Sequence, residues 1–167
     1  MTDLTPLEGQ ARALIELCIA RGLKIATAES CTGGLIAGVL TEISGSSAVV
    51  DRGFVTYSNE AKTEMIGVPA DLIERVGAVS QEVALAMAAG ALAKSGADLA
   101  IAVTGIAGPT GGSPEKPVGL VHFGVMRRGA PARHAEHVFA GRDRSGVRFE
   151  TVVEALKLLH ETATLEA

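Results

Sequence analysis

The sequence predicts a three-layer α/β/α sandwich built on a mixed, mostly parallel sheet. Three observations carry that expectation. Segments with helical spacing of apolar residues alternate with short strand-like runs; one run, "DLAIAVT" at 98–104, is apolar on both faces, as a covered central strand must be; and two late strand-like runs face each other across a short turn. The 167 residues fit one domain over 1–167, a size that buries a sizeable core without disulfides or metals.

Leu4, Leu7, Ala11, Leu14, Ile15 and Cys18 recur at spacings of three and four, the stripe of an amphipathic helix over 4–19, with Gly22 to end it. "LKIATA" at 23–28 is a short strand running into "AESCTGG" at 28–34. Beyond those glycines Leu35, Ile36, Val39, Leu40 and Ile43 resume a helical period, so the motif sits on a strand-to-helix turn. "SGSS" at 44–47 is a loop, and the β-branched and aromatic content of "AVVDRGFVTYS" at 48–58 marks a strand with a bulge at Gly53. Asn59 caps a short helix whose first turn holds Lys62. Ser80 caps a longer one, 81–96, with Gln81 and Glu82 at its positive end and Gly96 at its stop. The strand at 98–104 delivers the chain into "GIAGPTGGSPEKPVG", a loop too long and too rich in Gly and Pro for a simple connection. "LVHFGVM" and "RHAEHVF" pair across "RRGAP", the second more polar and so nearer an edge. A last helix from Arg144 to His160 carries Phe149, Val152, Val153, Leu156 and Leu159 on one face.

Hydrophobic residues make up 47% of the chain but aromatics only 3%, with no Trp, so Ala, Val, Leu and Ile must build a closely packed core. A net charge of -4 offers no concentrated Lys and Arg footprint, which argues against nucleic acid as a partner. Cys18 and Cys31 are too few for a disulfide scaffold, and the start "MTDLTPLEGQ" lacks a signal-peptide pattern. The most apolar segment meets Lys94 and Asp98 before reaching the ~20 residues that span a bilayer. A cytoplasmic protein with no membrane partner is expected. The Ala-rich apolar helices suit a subunit interface, so a homo-oligomer is expected.

In folds of this class ligands gather at the carboxyl ends of strands, and "ESCTGG" and "TGIAGPTGG" both leave such ends, facing one crevice. A helix N-terminus presents unpaired N–H groups, so Gly33 and Gly34 leave room for a ligand oxygen or an oxyanion. The same pattern equally describes a helix capped by Ser30 or Thr32. Ser30, Cys31 and Thr32 are three adjacent candidate nucleophiles, and a serine needs a base. His122, His134, His137 and His160 all lie in late strands or the last helix, which leaves a His-dependent triad poorly supported. Lys62, in "TYSNEAK" with Tyr57, Ser58, Asn59 and Glu60, is an alternative base. Its pKa must then fall far enough to leave the amine neutral near pH 7, as burial beside Tyr57 or a cationic substrate would arrange. A solvated lysine paired with Glu60 or Glu64 is the plainer reading. Cys31 competes as nucleophile because a helix N-terminus acidifies a thiol, although a buried structural thiol is simpler.

Arg142, Arg144 and Arg148 crowd the N-terminal end of the last helix, where the dipole disfavours positive charge. A bound phosphate would relieve that conflict; so would exposure, with Asp143 and Glu150 as counter-charges. Neither glycine cluster matches a standard nucleotide-binding signature. "HAEH" places His134 and His137 on opposite faces of a strand, so no metal site is expected.

"AESCTGG", "RGFVTYSNEAK", "GAVS", "TGIAGPTGG" followed by "EKPVG", and "GRDRSGVR" stand in this order in the chain. Together they resemble the C-terminal domain family of the competence-damage-inducible protein CinA, over about residues 5–160. The resemblance implies a stand-alone amidohydrolase that converts nicotinamide mononucleotide to nicotinate mononucleotide and ammonia without cofactor or metal. It maps a serine/lysine pair onto Ser30 and Lys62. In that setting N–H groups around Thr32 and Gly33, beside Gly34, hold the oxyanion, Tyr57 hydrogen-bonds Lys62 or the tetrahedral intermediate, and Glu29 complements the pyridinium charge. Thr104 and the 105–113 loop, with Gly105, Gly108 and Gly112, enclose the nucleotide, and Arg144 or Arg148 binds its phosphate. The rival expectation is a non-catalytic nucleotide-binding or regulatory module linked to competence or DNA damage.

Overall fold

The structure is a computed structural model that describes residues 1–166. After a 3-10 turn at Thr5–Leu7 the elements run α1 (Glu8–Arg21), β1 (Ile25–Glu29), α2 (Leu35–Thr41), β2 (Val50–Val55), α3 (Asn59–Ile66), α4 (Ala70–Val76), α5 (Gln81–Ala93), β3 (Leu99–Gly105), β4 (Leu120–Arg127), β5 (Arg133–Val138) and α6 (Arg144–Thr164). The five strands lie in the order β2-β1-β3-β4-β5. β2, β1 and β3 are parallel, and β4 runs antiparallel to both of its neighbours. β4 alone therefore opposes the other four strands, as a mixed, mostly parallel sheet requires.

The two faces of the sheet differ in side-chain size. Ile25, Leu99, Ile101, Val103, Phe123 and Val125 pack beneath α1, α2 and α6, whereas the opposite face offers Ala26, Ala28, Ala100 and Ala102 to α3, α4 and α5. Alternation along each strand sends successive residues to opposite faces, so the large and small sets separate cleanly. An alanine-lined face lets a helix backbone sit close, and the Ala- and Gly-rich α5 uses that room. A Cβ on Gly124 of β4 would stand 2.3 Å from the Ala84 carbonyl oxygen of α5, and one on Gly90 of α5 would stand 1.9 Å from that of Ile66. Val83, Ala84, Met87, Ala88, Ala91 and Leu92 of α5 are thereby covered by the sheet, α3 and α4, while Ala89 and Ala93 stay exposed.

Several boundaries differ from expectation for local reasons. Pro6 starts a separate 3-10 turn, and the first α-helix begins only at Glu8. The irregularity in β2 falls at Asp51, between the Val50 and Arg52 partners of Ile25 and Ala26. Gly53 instead accommodates α2: a Cβ there would meet Thr27 Oγ1 at 2.9 Å and Ala37 Cβ at 3.2 Å. α3 is capped by Ser58, whose hydroxyl accepts from the Ala61 N–H at 3.0 Å, one residue before the expected Asn59. α5 stops at Ala93, and α6 continues to Thr164. α4 has seven residues, too few for a period to stand out in the sequence. No helix among the described residues is long and apolar enough to cross a membrane.

The close approach of α5 to β4 is testable. Gly124→Ala is expected to destabilise the protein by about 3 kcal/mol, because the obstructing atom is backbone and cannot turn aside. Gly38→Ala, on the exposed side of α2 with nothing within 4 Å, is expected to stabilise it by about 0.5–1 kcal/mol. Urea denaturation of both variants measures the difference.

Candidate active site

β1 ends at Glu29, which is 1% exposed and lies on the sheet face covered by α2. Its carboxylate accepts from the backbone N–H of Ile36 at 2.8 Å and of Ala37 at 3.0 Å, from Thr32 Oγ1 at 2.7 Å and from Thr27 Oγ1 at 3.3 Å. Four donors saturate the acceptor capacity of one carboxylate. The first turn of α2 is thus capped by the strand that precedes it. Neither Ser30 nor Thr32 caps this helix, and its N-terminus is already occupied by a protein anion. Glu29 is buried against α2, so its carboxylate makes no surface contact for a ligand.

Between strand and helix, residues 30–34 form a tight turn. Ser30 N–H donates to the Val103 carbonyl at 3.1 Å, Gly33 N–H to the Ser30 carbonyl at 3.0 Å, and Leu35 N–H to the Thr32 carbonyl at 3.1 Å. Gly33 N–H is therefore committed to the turn and is not an oxyanion donor. Among the described residues no acceptor engages the N–H groups of Cys31, Thr32 or Gly34. Gly34 has φ 102°, the left-handed region that glycine alone enters without strain. Arg148 of α6 fastens the outside of the turn: Nε donates to the Cys31 carbonyl and Nη2 to the Thr32 carbonyl, each at 3.1 Å.

Lys62 enters from the other side. Ser58 starts α3 immediately after the β2 exit, and one turn later the lysine reaches back over residues 56–58. It is 1% exposed. Nζ lies 2.8 Å from the Thr56 carbonyl oxygen, 3.3 Å from that of Tyr57 and 3.1 Å from Ser30 Oγ. Burial pushes the Lys62 pKa down, with Cys31 and Glu60 opposing more weakly. Carbonyl oxygens only accept, so a neutral amine that donates its two hydrogens to Thr56 and Tyr57 has its lone pair left for the Ser30 hydroxyl. In that neutral state the amine could accept from that one group.

Cys31, adjacent to this pair, behaves oppositely. It is buried, and burial pushes its thiol up to about 12, despite the neighbouring Arg148 and Lys62. The acidified thiolate expected of a helix N-terminus is absent because burial outweighs that effect, with the Glu29 carboxylate adding to it.

The remaining expected residues divide into those at the mouth of the site and those inside the scaffold. Tyr57 is exposed; its phenol bonds Arg144 Nη2 at 3.1 Å, and only its backbone carbonyl meets Lys62. Arg144 Nη1 also donates to the Gly108 carbonyl at 2.7 Å, tying the glycine-rich loop to the end of β2. Thr104 is 1% exposed and donates to the Ala78 carbonyl at 2.9 Å, so its hydroxyl is engaged by the turn before α5. A Cβ on Gly105 would stand 2.7 Å from Val121 Cγ2, one on Gly108 2.5 Å from Val118 Cγ1, and one on Gly112 2.9 Å from Val118 N. These three glycines let the loop and strand fold on themselves. The arginines crowded at α6 each have a protein partner: Arg142 pairs with Glu150 at 2.8 Å, Arg144 and Arg148 reach across to carbonyls, and Asp143 caps the helix through Gly146 N–H. Sequence reasoning missed the capping role of Glu29, the clamp formed by Arg148 and the carbonyls that orient Lys62. An acid ahead of a helix start was the one signal available, for Glu29.

Comparison with known proteins gives the same answer by sequence and by shape. Residues 7–163 match the family model described as the CinA C-terminal domain. The chain is 51% identical over 140 residues to the nicotinamide-nucleotide amidohydrolase PncC of Escherichia coli K12, covering 84% of each. It is 57% identical over 126 residues to a CinA-like protein of Akkermansia muciniphila, of which it spans 30%. It spans about a third of the length of the longer relatives it matches, 36% in one from Symbiobacterium thermophilum. The crystal structure of the competence/damage inducible protein CihA from Agrobacterium tumefaciens superposes with a TM-score of 0.92 at 53% identity, covering 95% of this chain and 96% of that one.

Glu29→Gln is expected to lower stability by about 3 kcal/mol, because an amide NH2 then confronts backbone N–H donors in a buried site. Thermal or urea unfolding checks this. Thr32→Val, which removes one of the four donors, is expected to cost about 1–2 kcal/mol.

Proposed function

The chain belongs to the CinA C-terminal domain family, and on that premise we propose that it is an amidohydrolase that converts nicotinamide mononucleotide to nicotinate mononucleotide and ammonia, with Ser30 as nucleophile and Lys62 as its base. The observation that carries this reading is the buried Lys62 amine, 3.1 Å from Ser30 Oγ and oriented by two carbonyl oxygens. Relatives of similar length bear the amidohydrolase name, and this chain covers 84% of them.

In this mechanism neutral Lys62 accepts the Ser30 proton as Oγ attacks the carboxamide carbon. The N–H groups of the 31–34 turn that lack an acceptor, Thr32 and Gly34 among them, hold the tetrahedral oxyanion. Lys62 returns the proton to the departing nitrogen, which leaves as ammonia, and a nicotinoyl ester remains on Ser30. Water, deprotonated by the same amine, cleaves that ester and regenerates both groups. Arg144 lies exposed at the mouth between Tyr57 and the Gly108 loop, where its free edge meets the substrate phosphate. Tyr57 flanks the same entrance. Arg148 supports the turn from behind. The residues named need no metal ion for any of these steps.

Ser30→Ala and Lys62→Met are each expected to reduce ammonia release from nicotinamide mononucleotide by at least about 10²-fold. Normal turnover by Ser30→Ala would remove it as nucleophile. Nucleotide-dependent stabilisation without any product would instead favour a binding module. Lys62 works only when neutral, so kcat/KM should fall as the pH drops through its lowered pKa, with the acid limb below the usual lysine range. Lys62→Arg should stay inactive at every pH, because a guanidinium is not deprotonated. Iodoacetamide at neutral pH should leave turnover intact, since the Cys31 thiol is buried and protonated.

A further inference from the structure

The antiparallel pairing of β4 with β5 sets His122 opposite Glu136 and Gly124 opposite His134. These positions alternate onto one face, so the three polar side chains share it. His122 Nδ1 lies 2.9 Å from His134 Nε2 and 3.9 Å from Glu136 Oε2, and one ligand atom from each residue lies within 4.8 Å of the others. The two imidazoles are nearly parallel, with centroids 5.2 Å apart and planes inclined by 26°. A tetrahedral ion with bonds of about 2.1 Å needs its ligand atoms about 3.4 Å apart, and the two measured separations bracket that edge.

We propose that His122, His134 and Glu136 bind one first-row divalent transition-metal ion, zinc in preference to magnesium or calcium, and so clip β4 to the edge strand β5. Two imidazoles and one carboxylate are a borderline-soft donor set suited to zinc, cobalt or nickel, whereas magnesium and calcium take oxygen ligands. Among the described residues this is the one such grouping of His, Cys, Asp and Glu. His122 is buried, His134 half-buried and Glu136 exposed, so the ion would sit at the rim of the sheet with its fourth position toward solvent. The cleft alongside is lined by Glu82 and Glu115, which favour a cation; the one ammonium there, Lys116, is held 2.7 Å from the Val76 carbonyl. Coordination replaces the hydrogen bond between the rings: the bridging N–H moves to the other nitrogen of its own ring, and each neutral imidazole then offers the ion a lone pair.

The site is separate from the serine and lysine. His122 pairs with Thr104 of β3, while Ser30 follows β1 on the other side of β3. The sequence concealed the trio because "HAEH" suggested His134 with His137, which do lie on opposite faces, whereas the second imidazole comes from the neighbouring strand.

The experiment is titration of tag-free, chelator-treated protein with Co²⁺, followed by visible absorption, with Zn²⁺ and Mg²⁺ as competitors. The expected result is a d–d spectrum that saturates at one equivalent, is abolished by Zn²⁺ and is unaffected by Mg²⁺, together with a higher Tm in Zn²⁺. His134→Ala and Glu136→Gln, both at the rim, should each weaken Co²⁺ binding at least about tenfold, since loss of even a supporting group has that effect. His137→Ala, on the opposite face, should not. Absence of a saturable signal, or undiminished affinity in His134→Ala, overturns the proposal. Circular dichroism of each variant confirms that loss of binding is not loss of fold.

Discussion

The buried Glu29 carboxylate is the interaction on which the candidate site depends. It joins the last residue of β1 to the first turn of α2, using both oxygens on two helix N–H groups and two threonine hydroxyls. A helix N-terminus carries unpaired donors and a partial positive charge, and an internal acid answers both within the core. The intervening turn is thereby fixed at each end, which sets where Ser30 can stand. Arg148 secures the same turn from α6 by holding the carbonyls that point the other way.

This arrangement divides labour among neighbouring polar groups. Burial disfavours the thiolate, Glu29 adds to that effect, and Cys31 remains a buried thiol. Lys62 sits on the far side of Ser30, where burial disfavours its charge and carbonyl oxygens take its hydrogens. The two effects act together: burial disfavours the charged amine, and the carbonyl acceptors limit where its hydrogens point.

The asymmetry of the sheet makes that geometry possible. Alanines on one face let α5 approach within backbone contact of β4, and α3 and α4 share the same layer. Larger side chains on the other face carry α1, α2 and α6. Ser30 and Lys62 therefore meet at the end of β1, from elements on opposite sides of the sheet. The glycine-rich loop folds on its own Val118 and reaches the entrance through the Gly108 carbonyl on Arg144.

Much of the fold was legible in the sequence because periodicity is a local property: the apolar run of β3, the stripes of α1 and α6 and the Ser80 cap each report their own burial. α4 was too short to show a period, and the Gly53 bulge was misplaced because the demand for glycine came from Ala37 on another element. Within the site, sequence motifs singled out Ser30 and Lys62, and resemblance paired them, but local pattern left Ser30, Cys31 and Thr32 equivalent. Resemblance put Ser30 first, and tertiary structure added what local pattern lacks, since exposure, hydrogen-bond partners and pKa shifts come from groups distant in the chain. Glu29, Thr104, Gly105 and Arg148 looked like substrate contacts because polar and glycine residues beside a motif fit either role; three-dimensional packing decided that their donors, acceptors and space belong to the scaffold. The sequence by itself determined which elements form and which chemistry is available, whereas the crossing of elements decided which of those groups face one another.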